Sequence, residues 1–492
     1  MPALSAMDLA MFVLETRERP FNIGPLVLLR PPEGFRGNFA DKLVAKLLKR
    51  PPGPPFNYEL KLSLTSISSV EPMAKPNLAA HVHRMTLADA SMEDLLAEVC
   101  KLHETLLDRS GMLWQFFVID GLADGRVALY GKVHHGLIDG RTFVMAMTNC
   151  MSADPKDKEV RAMWEAVPRS PAKATVQASI AQRVMTAGAQ AAGAVRSAAG
   201  VYKLLAEQGL RSLGIGNASP LPFTKVTRAL DGGAVSARRS YAFCTLPLTE
   251  LKAIGKANGA TVNDMLLTVL DMGMHGYLGK RSKALRAPLV ADMPVALSAG
   301  AKGGNQIALL QFPLGKAAAT VAERLAAIRA ETGRVKGLLK KSSSDILMLH
   351  TTLVHALPVV LERVGVKASL RLSNLVVSNP FGIEGKRYAM GAEVELALPM
   401  SVVAAGQKLN ITAVTLGDRL QIGFLAMPDA VPHIERLARM TQEAFDEMKV
   451  ALGRPGAASV PKPAAKPKVA RKVARKAAGK PAPRRSRVPA KS

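Results

Sequence analysis

Cysteine is nearly absent from this chain. There are three in 492 residues, Cys100, Cys150 and Cys244, far apart and odd in number. They form no disulfide framework and no CxxC site, which points to a reducing, cytosolic compartment. Aromatic residues make up only 4%. Aliphatic and Met side chains must therefore fill the interior, and 22 methionines suggest adaptable apolar surfaces. No stretch reaches the ~18 consecutive apolar residues of a spanning helix. The longest candidate, residues 346–366, is interrupted by His350, His355, Pro358, Glu362 and Arg363. Residues 1–8 carry no basic n-region, which argues against a secretory signal. No GxSxG occurs, so a covalent serine mechanism lacks support. Acidic residues are missing from residues 454–492, where 13 Lys and Arg stand with no Asp or Glu.

Against these absences stands a long, apolar-rich chain. With 48% hydrophobic residues and too great a length for a single core, two large domains are expected. The formal net charge is +27; setting the tail's 13 basic residues apart from the total of 66 leaves 53 against 39 acidic ones in the body. An anionic partner fits both parts: a lipid headgroup, a phosphorylated cofactor or a nucleic acid.

Periodicity divides the chain. Helices are expected at 4–16 and 91–107, and apolar strands at 24–29, 115–119 and 127–133. Residues 168–214 shift to Ala, Val, Gln and Ser with scattered arginines, which reads as a helical crossover or a lipid-facing surface. The second half then alternates again. Strands are expected at 240–246, 287–297, 307–312 and 375–377, and a hairpin at 409–424 turns on Gly417-Asp418. Helices fall at 248–256, 261–278, 321–339, 345–364 and 430–452. The fold class is therefore α/β, or α+β with mixed sheets. The expected division is an N-terminal domain over 1–165, a helical crossover over 166–233, a C-terminal domain over 234–453, and a disordered basic tail over 454–492.

The chemistry concentrates at Val133-His134-His135-Gly136-Leu137-Ile138-Asp139-Gly140, an HHxxxDG motif where a strand ends and a helix begins. An alcohol is a poor nucleophile at neutral pH until a base takes its proton. Histidine suits that task because its ordinary pKa, ~6.5, leaves it largely neutral at pH 7. On an extended backbone His134 and His135 point to opposite sides, so only one faces a given cleft, and they do not make a bidentate metal pair. Asp139 at the helix start admits three readings: contact with the helix N-terminus, orientation of a histidine, or an ion pair with an arginine that braces the loop. The structural roles are favoured. Gly140 is expected to allow close backbone approach or an unusual φ. Farther on, Thr261-x-x-Asp264 matches a capping box with Asn263 in its first turn.

HHxxxDG resembles the active-site motif of coenzyme-A-dependent acyltransferases of the chloramphenicol acetyltransferase and condensation-domain type. Further segments resemble the bacterial wax ester synthase/diacylglycerol acyltransferase family. They are Leu4-Ser5-Ala6-Met7-Asp8 with Glu15, Pro20 and Gly24; Leu107-Asp108-Arg109-Ser110 with Leu113-Trp114 and Gly121-Leu122; and Gly259-Ala260-Thr261-Val262-Asn263-Asp264. Gly304-Asn305, Asn374-Leu375-Val376-Val377-Ser378-Asn379-Pro380, and Leu409-Asn410-Ile411 with Gly417-Asp418-Arg419-Leu420 complete the set. Two positions depart: Met112 stands where proline is usual, and residues 381–385 replace a Val-Pro-Gly-Pro pattern.

The resemblance implies a two-domain acyltransferase fold with the active site between mixed sheets. It implies acyl-coenzyme A as donor and cosubstrate, a long-chain alcohol or diacylglycerol as acceptor, no permanently bound cofactor and no metal. His135 becomes the general base and His134 a support or assistant. Asn263 becomes a donor to the developing oxyanion, with a purely capping role as the competing reading, and Asp139, Gly140 and Asp264 become structural elements of the site. Trp114 is expected as a packing anchor. Two alternatives stay open: a condensation-type enzyme using a carrier-bound donor, and a non-catalytic protein held to lipid granules or nucleic acid by the tail. The expected location is cytoplasmic and peripheral, at the inner membrane or on lipid droplets. The motif leaves the acceptor alcohol unspecified.

Overall fold

The computed structural model describes residues 6–61, 69–165, 202–203, 226–283, 285, 287–297, 307–315, 318–363, 372–379 and 382–453. Most of the expected crossover, Leu4-Ser5, Gly304-Asn305, Pro380, Phe381 and the 454–492 tail lie outside the described residues.

In chain order the strands are β1 (Asn22–Arg30), β2 (Tyr58–Lys61), β3 (Ser69–Pro72), β4 (Val82–Ala90), β5 (Trp114–Leu122), β6 (Val127–His134), β7 (Ser240–Pro247), β8 (Val290–Ala296), β9 (Ile307–Pro313), β10 (Leu375–Ser378), β11 (Tyr388–Ala389), β12 (Ala392–Met400), β13 (Leu409–Leu416) and β14 (Arg419–Ala426). They build two six-stranded mixed sheets, ordered β11-β12-β1-β6-β5-β4 and β7-β14-β13-β10-β8-β9, and a small β2-β3 pair.

The expected strands and helices of the body are present, with ends shifted by a few residues. Several elements carry no expectation above, among them β4, β12 and the helix Phe39–Leu47. The unexpected β12 matters most. It comes from the second half of the chain yet pairs antiparallel with β1, Gly24 opposite Met400 and Leu28 opposite Leu396. The second half thus completes the first sheet, and chain order does not separate the two layers. The residues that follow β12 return to the second sheet through β13.

The first sheet is buried on both faces, and its side chains alternate as the pleat requires. Leu26 and Leu28 of β1 join the core shared with the second sheet. Val27 and Leu29 join a second core under Phe39, Leu43 and Trp114. Trp114 is the packing anchor the sequence suggests. It is fully buried, stacks on Trp164 at 4.8 Å, and donates from Nε1 to the Phe56 carbonyl at 2.7 Å. The two sheets meet closely at β12. The Gln421 side chain of β14 accepts from the Ala397 N–H at 2.6 Å, and Tyr241 of β7 donates to the Pro399 carbonyl at 3.0 Å. Gly423 makes this contact feasible: a Cβ there would lie 2.6 Å from the Pro399 oxygen. The β13-β14 turn places Gly417 at φ +58°, where an L side chain is disfavoured.

Central strand β6 is buried along its whole length, even at Lys132. That ammonium reaches the end of helix Met92–Glu104 and donates to the carbonyls of Leu102 and Thr105, both at 2.8 Å. A cation at a helix C-terminus meets unpaired carbonyls and the negative end of the dipole. Asn22 supports the same end by donating to the carbonyls of His103 and Thr105. The strand that delivers the histidines is thereby tied to a fixed helix.

Candidate active site

His134 is the last residue of β6, and His135 opens the turn that leads into the helix Gly140–Asn149; His134 faces helix α1 (Ala6–Leu14) and His135 faces a cavity. The two rings diverge, as an extended backbone requires. His134 is 1% exposed. Its ring stacks on Phe12 of α1 at 4.0 Å and 4°, its Nδ1 accepts from the Gly136 N–H at 3.0 Å, and its Nε2 lies 3.6 Å from Glu15 Oε1. Burial alone would raise the Glu15 carboxyl, but His134, the Phe21 N–H and Arg109 outweigh it and hold the group below its ordinary pKa. Arg109 donates to Glu15 Oε2 at 3.0 Å and to the Phe12 carbonyl at 2.6 Å. His134 is part of this brace and does not line the cavity.

His135 does line it. The cavity has a volume of about 270 Å³ and is walled by both halves of the chain. Met11, Phe21, Ile23, Phe143 and Met147 come from the first half; Pro294, Leu309, Val376, Pro399 and Val402 come from the second. The His135 backbone N–H is held by the Phe21 carbonyl at 2.7 Å. Its Nδ1 is buried without a hydrogen-bond partner. Burial lowers the His135 pKa below the ordinary histidine value, against the opposing pull of its own carbonyl, Asp139 and Asp8. An apolar cavity with one neutral imidazole in its wall suits a base that takes a proton from an apolar molecule's hydroxyl.

Asp139 caps the helix Gly140–Asn149 by accepting from Thr142 with both oxygens, from N at 2.7 Å and from Oγ1 at 2.9 Å. The helix-start reading of Asp139 is the one the geometry supports. The expectation for Gly140 is overturned. It is the first helical residue, its φ is not positive, and a Cβ there would meet nothing within 4 Å. Its missing side chain leaves open space at the cavity, which it helps to line.

Thr261 and Asp264 form the expected capping box at helix Val262–Leu278, and Asp264 also accepts from Thr332 at 2.7 Å. Asn263 sits exposed in the first turn. Its Oδ1 accepts from Asn379 at 2.6 Å. Asn379 follows Ser378, which lines the cavity, so Asn263 stands beside the lining and outside it.

Other polar residues reach the cavity without having been singled out. Ser378, Ser401, Asn410 and Thr412 interrupt its apolar wall. Asn410 donates to the Val402 carbonyl at 2.9 Å and accepts from Thr412 at 2.8 Å. A signal exists in the sequence: in Leu409–Leu416, Asn410, Thr412 and Val414 alternate with Leu409, Ile411 and Ala413. Next to the cavity, buried Asp292 accepts from Ser373 and Gln407, each at 2.7 Å. The three cysteine thiols are pushed up to about 12 by burial, so none is a ready thiolate. Among the described residues no cluster of three or more His, Cys, Asp or Glu is placed to hold a metal ion, and no helix is long and apolar enough to cross a membrane.

Two family models match the chain: the wax ester synthase/diacylglycerol acyltransferase catalytic domain over residues 4–266, and the C-terminal domain of the same family over 303–449. A probable diacylglycerol O-acyltransferase of Mycobacterium tuberculosis is 30% identical over 463 residues, covering 92% of this chain and 98% of that protein. A putative diacylglycerol O-acyltransferase of the same organism is 29% identical, covering 92% and 90%. Among solved structures, the wax ester synthase/diacylglycerol acyltransferase from Marinobacter aquaeolei VT8 superposes with a TM-score of 0.69 at 23% identity, covering 92% of this chain and 100% of that one. The first condensation domain of the CDA synthetase gives a TM-score of 0.52 at 17% identity over 91% and 97% of the two chains, a likeness of fold.

Proposed function

Because the chain belongs to the wax ester synthase/diacylglycerol acyltransferase family, we propose that it moves a long-chain fatty acyl group from acyl-coenzyme A to diacylglycerol, to a long-chain alcohol, or to both. The observation that carries the reading is His135: a half-buried imidazole, its pKa lowered, in the wall of an apolar cavity that both halves of the chain enclose.

In the proposed reaction His135 takes the proton of the acceptor hydroxyl as its oxygen attacks the thioester carbonyl. The tetrahedral intermediate collapses to the ester, the C–S bond breaks, and the imidazolium returns its proton to the departing coenzyme A thiolate. Asn263 is the proposed donor to the oxyanion. Support comes from its place beside Ser378 and from Asn379 engaging Oδ1, which leaves the amide N–H groups for another acceptor. His134 positions the turn from its brace with Phe12 and Glu15. Acyl-coenzyme A is a cosubstrate, and the chemistry requires no resident metal or cofactor.

The decisive assay offers palmitoyl-coenzyme A with hexadecanol and with diacylglycerol side by side, reading coenzyme A release and separating products by thin-layer chromatography. His135→Ala should lower the rate by about 10²–10⁴. Near-normal turnover in that variant would remove the general-base assignment, and turnover with neither acceptor would remove the acceptor assignment.

The 13 basic residues of 454–492 are proposed to hold the protein to an anionic membrane or lipid-granule surface. Deleting the tail should weaken binding to anionic liposomes at low salt and leave turnover of soluble short-chain substrates intact. Tail-dependent binding to DNA but not to liposomes, compared at two salt concentrations, would reassign the partner.

A further inference from the structure

The cavity wall opposite His135 is the segment 401–407, which carries the chain from β12 in the first sheet to β13 in the second. Ser401, Val402 and Ala404 of this segment line the cavity. It contains neither helix nor strand, so its shape depends on what holds its carbonyls.

One side chain holds three of them. Arg19 is 3% exposed. Its Nη1 donates to the carbonyls of Val403 at 3.1 Å, Ala404 at 2.6 Å and Gln407 at 3.1 Å. His103 donates to the Ser401 carbonyl at 3.1 Å and Asn410 to the Val402 carbonyl, the Gln407 side chain donates to Asp292 and Ser373, and the Gln407 N–H donates to the Ala404 carbonyl at 3.1 Å. Arg19 itself is fixed by a turn in which Thr16 N donates to its carbonyl at 3.3 Å and its own N donates to the Thr16 carbonyl at 3.1 Å. Two residues on, the Phe21 carbonyl takes the His135 backbone N–H, while the Phe21 N–H is taken by Glu15 at 2.9 Å. The short stretch between Glu15 and Asn22 therefore grips both walls of the cavity.

We propose that Arg19 is a positioning residue that fixes the 401–404 wall at its distance from His135, and so sets how the apolar substrate is seated at the base. The proposal rests on the acyl-transfer reading for its catalytic consequence, but its structural part does not. Arg19 does not line the cavity; it acts through the carbonyl of Ala404, which does, and through those of Val403 and Gln407 beside it. All three carbonyls fall to Nη1, which the rigid plane of the guanidinium holds in one direction; an ammonium on a flexible stem has donors enough but lacks that constraint.

The test uses the full chain with Arg19→Met, Arg19→Lys and Arg19→Ala. Hydrogen exchange read by mass spectrometry should show peptides spanning 401–408 exchanging about tenfold faster or more in Arg19→Met, with those spanning β5 and β6 unchanged. In the acyltransfer assay, Arg19→Met should lower kcat and flatten the dependence on acceptor chain length, while the acid limb of the pH profile stays in place because His135 is untouched. Arg19→Lys should recover only part of the loss, and guanidinium ion at millimolar concentration should restore Arg19→Ala. Exchange at 401–408 that matches wild type, or a uniform acceleration over every strand, overturns the proposal. So does an unchanged chain-length profile alongside faster local exchange. If wild type itself transfers no acyl group, the function proposed above fails while the exchange result still decides whether Arg19 fixes the wall.

Discussion

At the end of β6 two adjacent histidines face opposite sides of the backbone, one into a packed brace and one into the wall of the cavity. His134 lies flat on Phe12, takes the Gly136 N–H and faces a carboxylate that Arg109 and the Phe21 N–H also hold. On the other side His135 meets apolar walls, and its Nδ1 has no partner. Both rings keep one buried nitrogen without a hydrogen-bond partner, Nε2 in His134 and Nδ1 in His135, so what separates them is what lies around each ring: a stacked phenyl and a carboxylate for one, an apolar cavity for the other. Close packing suits a brace; a place in the cavity wall, at a lowered pKa, suits the proposed base. His103 belongs with the first kind: its Nδ1 meets the Tyr130 hydroxyl at 2.7 Å and its Nε2 the Ser401 carbonyl at 3.1 Å.

The contrast breaks most directly through paired alanine variants. His135→Ala should cost about 10²–10⁴ in rate and leave the denaturation midpoint where it is. His134→Ala should do its damage to stability, at about 1–3 kcal/mol, by leaving the Gly136 N–H and the Glu15 carboxylate poorly paired in the interior. Urea titration beside the turnover assay separates the two. If His134→Ala keeps full stability and loses the rate, the division between brace and base is wrong.

How much of this division was readable beforehand depends on the range of the contacts. HHxxxDG at a strand end, the opposite orientation of its two histidines, and the Thr261–Asp264 capping box are local, and local patterns carried them. The partners were not local. Glu15 reaches His134 across more than a hundred residues, and Arg19 reaches Val403 across 384. β12 shows the limit most clearly. Its Ala392, Val394, Leu396, Leu398 and Met400 alternate with the period of a strand, so its existence is a local signal. Its pairing with β1 in the other sheet depends on register and side-chain fit that no window of sequence contains. The cavity walls inherit that difficulty, because β12 and the segment after it supply several of them.

The buried histidines away from the cavity and the proposed base should also part on pH. Burial lowers the His103 pKa to about 3 and that of His350 to about 4, against 6.5 for the free side chain. Below pH 6.5 the unfolded chain takes up protons that the folded chain refuses, so stability falls as pH drops from 6.5 toward 3. At His103 burial is the main cause, with Arg239 and Lys132 adding to it, and the bond to the Ser401 carbonyl opposes it. His103→Gln should flatten the acid slope of the melting temperature, and an unchanged slope would assign it to other groups. His135 is read through the rate. Its lowered pKa should place the acid limb of kcat/KM below pH 6.5, so that turnover persists where stability has begun to fall.

The smallest effect separates two neighbours in the motif, Asp139 and Gly140. Asp139→Ala removes the only side-chain cap seen on the Gly140–Asn149 helix and should cost about 0.5–2 kcal/mol. Gly140→Ala should cost nothing in stability, because the backbone there is ordinary helix and the added methyl meets no atom within 4 Å; it should gain a few tenths of a kcal/mol from helix propensity. What the methyl does enter is the cavity beside His135. Gly140→Ala should therefore melt at or slightly above wild type and yet show a raised KM for the bulkier acceptor, diacylglycerol, relative to hexadecanol. A drop in melting temperature would restore a conformational role for this glycine, and an equal KM change for both acceptors would place the hydroxyl-bearing substrate elsewhere in the cavity.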